Sequence, residues 1–179
     1  MNDQNTVHYG FLQTRLGTAA LAATARGLCA LAFTGADEAA RTAWLDDLRR
    51  VAGADLREDL IALSAYSDAL TAFLDGSATA FDPPLDVLGG TPFQREVWEQ
   101  LRRTDAGEVL TYGDLARRMG RDGASARAVG LACARNRIAL AIPCHRVLRA
   151  DGGLGGYRWG VASKSDLLAL ESARLKTAL

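Results

Sequence analysis

Histidine and cysteine are scarce in this chain of 179 residues, which contains two histidines and three cysteines. His8 and His145 stand far apart, so the sequence offers no cluster with the spacing of a zinc site. Cys29, Cys133 and Cys144 are an odd number at unrelated spacings, which argues against a disulfide framework and for a reducing compartment. We therefore expect no bound metal, no cofactor and a cytoplasmic location.

Long uninterrupted apolar runs are also missing. Polar or charged residues break every apolar stretch within about 18 positions, which is too short for a membrane span. The segment Met1–Asn5 lacks the basic and apolar regions of a secretory signal peptide. We expect a folded protein without a membrane anchor.

The net charge of zero conceals opposite charges in the two halves of the chain. Residues 1–88 contain 6 basic and 12 acidic residues, a net charge of −6, whereas residues 89–179 contain 15 basic and 9 acidic residues, a net charge of +6. The arginines of the second half lie within apolar-periodic segments, so they belong to a folded surface. This asymmetry points to nucleic acid or a membrane surface as the partner of the basic half, with chance drift as the alternative.

Apolar periodicity and turn residues predict an α/β domain over residues 1–85 and a second domain over residues 86–179. Asp82-Pro83-Pro84 and Gly89-Gly90 punctuate the chain where the charge balance changes sign. The boundary is therefore expected between residues 83 and 90. Within the first domain the pattern predicts strands at 16–23 and 27–33, followed by helices over 36–51 and 56–75.

The second half predicts a mainly helical domain. The sequence Thr91–Gln94 has the pattern of a capping box with proline at the first helical position. A weaker start at Thr111 opens a short helix that Gly120 ends, and a third helix is predicted over 124–135. Two short helices joined by a glycine-containing connection are typical of a helix-turn-helix.

The third predicted helix surrounds one arginine, Arg127, with small residues. A recognition helix normally presents long side chains to base edges, whereas small residues let the backbone approach another surface closely. Arg127 would then enter a duplex stack or bind phosphate. The alternative is a buried alanine-rich helix whose arginine reaches solvent. The small residues are Ala124, Ala126, Ala128, Gly130 and Ala132.

Cys144 and His145 follow an apolar run at 138–142 that we expect to be extended. A neighbouring imidazole favours the thiolate, which is the nucleophilic form of cysteine. A last helix is predicted from Ser163, and it places Glu171 at the edge of its apolar stripe or within it. A buried carboxylate needs a partner, and His145 is the candidate. The alternatives are an inert buried cysteine and a solvated Glu171.

The motifs between Gly90 and Glu171 resemble those of the O6-alkylguanine-DNA alkyltransferases of bacterial type, including the C-terminal half of Ada-type proteins. Residues 1–85 resemble, more loosely, the ribonuclease-H-like domain of that family. The resemblance implies a ribonuclease-H-like α/β domain followed by a mainly helical, winged-helix-like domain with a helix-turn-helix. The motifs are Phe93-Gln94, Val97-Trp98, Gly107-Glu108, Thr111-Tyr112, Ala126–Gly130, Asn136, Ile142–Val147, Gly156–Gly160 and Lys164 with Leu167-Leu168.

The resemblance implies direct-reversal DNA repair by a monomer. An alkyl group would pass from O6 of guanine, or from O4 of thymine, to the Cys144 thiolate, once and irreversibly. His145 would withdraw the thiol proton through a water, and Glu171 would orient and charge the imidazole. Tyr112 would crowd the phosphate beside the target and pass a proton to the departing guanine, while Asn136 would brace the turn before the active site.

The implied partner is double-stranded DNA containing O6-alkylguanine, approached from the minor groove with the target base flipped out. Arg127 would fill the gap that the base leaves. The other implied DNA contacts are Tyr112, Gln94, Gly113, Ala126, Ala128 and Gly130. The guanine pocket would be lined by the Val147 carbonyl with Tyr157 and Arg158.

The sequence departs from the family after the hinge, where Arg137 replaces a proline that many members carry. Two other functions compete with alkyl transfer. A DNA-binding sensor without transfer is disfavoured because Cys144 is present. A cysteine hydrolase lacks an evident oxyanion site and leaves the Arg127 helix unexplained.

Overall fold

The computed structural model describes residues 6–35 and 37–177, with side chains as far as residue 174. The chain divides into two compact units, Met1–Gly89 and Gly90–Leu179. Within the described ranges no helix is long and apolar enough to cross a membrane.

The first unit is built on a four-stranded mixed sheet in the order β3-β2-β1-β4. Strands β1 to β3 form an antiparallel meander, and β4 pairs with β1 in parallel. The two predicted strands are confirmed. Almost every residue of β2 and β3 is buried although many are alanine, so burial outweighs the poor strand propensity of alanine. The strands are β1 (Thr6–Thr14), β2 (Gly17–Thr24), β3 (Gly27–Phe33) and β4 (Asp55–Glu58).

Two helices complete the first unit, α1 (Glu38–Ala52) and α2 (Ser64–Asp75). Asp37 caps α1 by accepting a hydrogen bond from the Ala39 amide. The predicted first residue of this helix, Ala36, lies outside the described residues. The prediction of helix from residue 56 is wrong, because residues 55–58 pair with the edge of β1 as β4 and the helix begins only at Ser64.

Gly27 marks a close approach of two backbones in the first unit. Its φ is 155°, and a Cβ there would lie 2.5 Å from the Pro84 carbonyl oxygen. The neighbouring Leu28 amide donates to that same oxygen at 2.9 Å. Glycine is therefore required for residues 84–86 to dock along β3.

The second unit is mainly helical, with a two-stranded parallel pair of β5 and β6. Helices α3 and α4 both begin with capping boxes, and α4 and α5 form the helix-turn-helix pair. The indole of Trp98 on α3 donates to the Ala132 carbonyl of α5 at 2.9 Å and so ties these two helices together. The elements are α3 (Pro92–Arg102), β5 (Leu110–Thr111), α4 (Tyr112–Arg118), α5 (Ala126–Ala134), β6 (Val147–Leu148) and α6 (Val161–Thr177).

The apolar run at 138–142 is a tight turn, so the prediction of an extended run is wrong. Leu140 has a φ of 67°, in the left-handed region. The side chain of Asn136 holds both ends of the turn, because its Oδ1 accepts from the Ile138 amide at 2.9 Å and its Nδ2 donates to the Ile142 carbonyl at 2.8 Å. Apolar side chains indicate burial, and they do not by themselves specify backbone conformation.

Candidate active site

Cys144 is separated from this turn by Pro143 and opens a short 3₁₀ turn. Its side chain is buried, and the Nδ2 of Asn136 donates to its Sγ at 3.2 Å. Burial raises the pKa of the Cys144 thiol to about 11, although the Asn136 hydrogen bond and the charges of Lys164 and Arg158 lower it. The resting group at neutral pH is therefore a thiol, and a nearby base is needed to make it a nucleophile.

His145 lies beside the cysteine and is completely buried. Its Nε2 is 3.0 Å from Oε1 of Glu171, which is also buried. Burial lowers the pKa of His145, although the hydrogen bond and charge of Glu171 raise it, which favours a neutral resting imidazole. That Glu171 charges the imidazole during the reaction stays a prediction. Nε2 then carries the proton that Glu171 accepts, and Nδ1 has no hydrogen-bond partner among the described residues.

Glu171 is held by more than the histidine. Arg146 donates to both of its oxygens, at 2.9 Å from Nε and 2.8 Å from the terminal nitrogen, and the Gly107 amide donates at 3.0 Å. Burial by itself would raise the pKa of Glu171, but the hydrogen bonds from His145 and Arg146 hold it at about 2. The other terminal nitrogen of Arg146 donates to the carbonyl and the hydroxyl of Thr104. The carboxylate is thus ionised, and both of its oxygens accept hydrogen bonds.

Arg146 and Lys164 belong to the sequence motifs, but sequence reasoning assigned them no role. The Lys164 ammonium is buried and donates to the carbonyl oxygens of Val147 at 2.6 Å and Leu154 at 2.5 Å. Burial lowers its pKa. This lysine fastens the segment after the reactive cysteine to α6. Lys164 lies three residues before Leu167 and seven before Glu171, on the apolar stripe of the last helix, and this position is the signal that would have singled it out.

A cavity of about 380 Å³ opens at Cys144. It contains five of the predicted site residues, whereas Val147 lies outside its lining and gives its carbonyl to Lys164. Sequence reasoning missed Cys133, a second thiol in the wall, whose pKa burial raises. The lining residues are Tyr112, Gly130, Cys133, Ala134, Cys144, Gly156, Tyr157 and Arg158.

Two phenols face this cavity, those of Tyr112 and Tyr157. Burial raises the pKa of both, so each keeps its proton at neutral pH. The Tyr157 hydroxyl is buried and has no partner among the described residues. The cavity therefore presents hydrogen-bond donors together with a thiol.

The predicted DNA contacts lie on three helices of the second unit, most of them near the helix start. Gln94 is near the start of α3, and its side chain accepts from the Thr91 amide at 3.0 Å in the capping box. Gly113 is the second residue of α4. On α5, Arg127 and Ala128 are exposed, while Ala126 and Gly130 are half-buried.

No group of three or more histidine, cysteine or acidic side chains in residues 6–35 and 37–177 is arranged to hold a metal ion. The chemistry available at the site is proton transfer and nucleophilic attack by sulfur. The unpartnered imidazole nitrogen, the thiol and the phenols supply these functions.

Two family models match the two units. One, described as the 6-O-methylguanine DNA methyltransferase ribonuclease-like domain, covers residues 7–87. The other, described as the DNA binding domain of the same methyltransferase, covers residues 92–173.

Individual relatives give the same result. The chain is 39% identical over 166 residues to the bifunctional transcriptional activator/DNA repair enzyme Ada of Escherichia coli K12, covering 93% of this chain but only 46% of Ada. It is 39% identical over 169 residues to a methylated-DNA--protein-cysteine methyltransferase of Mycobacterium tuberculosis H37Rv, with 94% of each chain covered. The crystal structure of Mycobacterium tuberculosis OGT in complex with DNA superposes with a TM-score of 0.75 at 36% identity, covering 93% of this chain and 94% of that one.

Proposed function

This chain belongs to the 6-O-methylguanine DNA methyltransferase family, and we propose that it repairs O6-alkylguanine in DNA by one irreversible transfer of the alkyl group to Cys144. The observation that carries the proposal is the position of the Cys144 thiol in the wall of a cavity, next to the His145–Glu171 pair. The cavity lies within the volume range of small-ligand sites and accommodates a single extruded base.

The first step is removal of the thiol proton. Because the resting thiol and the resting imidazole are both neutral, the Nδ1 lone pair of His145 is the base, and a bridging water relays the proton. The ionised Glu171 then stabilises the imidazolium that forms. Asn136 donates to the sulfur and stabilises the thiolate.

The second step is displacement at carbon. The thiolate forms a C–S bond with the alkyl carbon while the C–O6 bond breaks, and the guanine leaves with that electron pair. Tyr112 donates a proton to the leaving guanine, and the phenolate that remains is reprotonated by the proton that the imidazolium gives up. Overall the proton lost by the thiol is the one that guanine gains. The product is a thioether, which no group of the site can hydrolyse, so each molecule acts once.

Access to O6 requires the base to leave the duplex, which costs a few kcal/mol. We propose that Arg127, exposed on α5, enters the gap, and that Gln94, Tyr112, Gly113, Ala126, Ala128 and Gly130 contact the DNA. Tyr157 and Arg158 hold the guanine. The basic second half favours phosphate contact.

We further propose that residues 1–85 and 86–179 are the two functional domains, that O4-alkylthymine is a second substrate, and that the protein is a cytoplasmic monomer. Free cysteines at positions 29, 133 and 144 suit a reducing compartment.

The test is mass spectrometry after incubation with a duplex oligonucleotide containing O6-methylguanine. We expect one added methyl group per protein, mapped to the peptide of Cys144, and no further turnover with excess DNA. Cys133→Ala is the matched control, because it removes the other thiol of the cavity and should leave transfer intact. Methylation of Cys133, or transfer by Cys144→Ala, would contradict the proposal.

A further inference from the structure

Leu131 on α5 is the most exposed large apolar side chain among the described residues of the second unit, at 64%. It stands on the same face as Arg127, with Ala128 exposed between them. The opposite face of the helix is buried through Val129, Ala132 and Cys133. Leu131 therefore contributes little to the core, and its exposure to water is unfavourable.

The arginines on either side of Leu131 differ from most exposed arginines of the same unit. Arg127 and Arg135 have no ion-pair partner among the described residues. Six other exposed arginines lie within ion-pair distance of a carboxylate, whereas Arg95 on α3 resembles the two arginines of α5 in having no ion pair among the described residues. Two unpaired positive charges therefore stand together on α5. The six are Arg102, Arg103, Arg117, Arg118, Arg121 and Arg149.

Arg127, Leu131 and Arg135 recur every four residues, so they form one stripe along the helix. Successive members are offset by about 40° around the axis, and the stripe is about 12 Å long. Under the proposed function Arg127 enters the duplex, so Arg135 is the cation left to meet a charged edge of the groove, and Leu131 lies between them. This arrangement fits a polyanion with a narrow, apolar-walled groove. The minor groove of duplex DNA has this character, and proteins that bind it often insert leucine or a similar residue.

We propose that Leu131 packs against the floor of the minor groove between Arg127 and Arg135, and that it makes transfer depend on the base pairs beside the lesion. The inference rests on the proposed function and adds to it a residue that determines sequence preference.

The chemistry of the groove floor sets the direction of this preference. An A·T pair presents only acceptors there, whereas a G·C pair adds the guanine N2 amino group, which protrudes and donates. Leucine can neither accept that hydrogen bond nor avoid the amino group, so contact leaves a buried donor unsatisfied. Leu131 should therefore favour A·T pairs, and inosine·C pairs, at the steps it covers.

The test compares duplexes that carry the same O6-methylguanine between G·C pairs or between inosine·C pairs, which differ only by the N2 amino group. For the wild type we expect single-turnover transfer from the inosine duplex to be about fivefold faster at subsaturating protein. In Leu131→Ala the ratio should fall below about twofold, and transfer from the inosine duplex should slow by about tenfold because the apolar contact is lost. Alanine is a good helix former, so α5 should remain folded.

Ile61→Ala is the matched control, because Ile61 is an 87% exposed aliphatic side chain of the first unit. It should behave as the wild type. Free O6-benzylguanine is a single base without a DNA minor groove. Transfer from it should therefore be the same in the wild type and both variants, which would show that the pocket is intact.

An unchanged inosine preference in Leu131→Ala would overturn the inference, because the preference would then come from DNA flexibility. Faster transfer by Leu131→Ala on both duplexes would also overturn it, because Leu131 would then obstruct close approach. If the wild type alkylates Cys144 with none of these substrates, the proposed function itself is wrong. That outcome is distinguishable from the other two.

Discussion

The interiors of the two units differ in what they bury. The first unit buries an alanine- and leucine-rich sheet with few polar side chains, namely Thr18, Ser67 and Asp86. The second unit buries more charged and polar side chains, namely Thr104, Asn136, His145, Lys164 and Glu171. Hydrophobic packing explains most of the first interior, in which the buried Asp86 pairs with Arg26. The second includes ionised groups whose desolvation is unfavourable, so its composition serves the reactive site more than stability.

A comparison of two cysteines shows the same difference. Cys29 in the first unit is buried and donates to the Ala22 carbonyl, and burial raises its pKa to about 12. Cys144 in the second unit accepts from Asn136 and lies in a cavity wall. A cavity of the first unit has a volume of about 480 Å³, more than the 380 Å³ of the cavity at Cys144, but no thiol lines it. The two thiols therefore differ in their hydrogen bonds and in their access to a cavity, and we expect these surroundings, not the cavity's size, to decide which thiol reacts.

The largest effect should come from breaking the buried ion pair of the second unit. Arg146→Met leaves Glu171 ionised and buried without its main partner, which should lower the free energy of unfolding by about 4 kcal/mol. Arg49→Met removes an exposed pair with Asp46 in the first unit and should change stability little. Denaturant unfolding of both variants measures the difference. Equal losses would show that buried charge is not what distinguishes the units.

The first unit should respond most to loss of apolar volume. Leu21→Ala creates a cavity at a fully buried position in the middle of β2 and should lower the free energy of unfolding by about 3 kcal/mol. Below the unfolding transition, transfer from free O6-benzylguanine should persist, because Leu21 lies outside the reactive cavity. A much smaller loss would mean that the alanine-rich sheet collapses to fill the space.

Within the second unit, Arg127→Ala should separate the role of the DNA-contacting helix from that of the reactive cavity. Transfer from duplex DNA should fall by about 30-fold, because base extrusion loses its replacement contact. Transfer from free O6-benzylguanine should not change, because a free base needs no extrusion. Arg117→Ala is the control, since Arg117 is exposed but paired with Asp114. Similar losses on both substrates would assign Arg127 to the pocket.

The smallest effect should be a selective sensitivity to mild acid. Burial lowers the pKa of His145 in the folded state, so the unfolded chain takes up this proton first. The stability that His145 contributes is complete above about pH 6.5 and is lost as the pH falls through that range towards the folded-state pKa. Because the pKa of Glu171 is lowered from 4.5 to about 2, this residue causes a further loss of stability only as the pH falls from about 4.5 to about 2.

Hydrogen exchange resolved by peptide measures this sensitivity in both units at once. Between pH 7 and pH 5 the opening free energy of α6 should decrease relative to that of β2. A parallel decrease in both elements would argue against a buried neutral imidazole in the folded state.

Local signals made much of the fold predictable. The capping box at Thr91 and Gln94 forms as its spacing indicates, because each partner lies within one helical turn of the other. Strand β4 carries no such signal, since Asp55–Glu58 is short and mostly exposed and is defined by its pairing with β1. Sequence periodicity cannot indicate a strand that forms only because its backbone pairs with β1, more than 40 residues away in the chain.

The same limit applies to the site. The sequence pattern placed Cys144, His145 and Glu171 together, and the structure brings Glu171 to 3.0 Å from the imidazole. The contact of Arg146 with Thr104 joins residues 42 positions apart, and no local pattern predicts it. The neutral state of His145 also depends on the depth of burial, which a residue list does not give.

The hydrogen bond from Trp98 to the Ala132 carbonyl makes the fluorescence of this indole sensitive to the position of α5. Indole emission responds to the polarity and hydrogen bonding around the ring, and this ring is buried beneath the helix that carries Arg127 and Leu131. Small displacements of α5 would therefore shift the emission of Trp98 without any attached dye. With Trp44 and Trp159 replaced by phenylalanine, stopped-flow fluorescence would follow DNA engagement separately from the slower chemistry at sulfur.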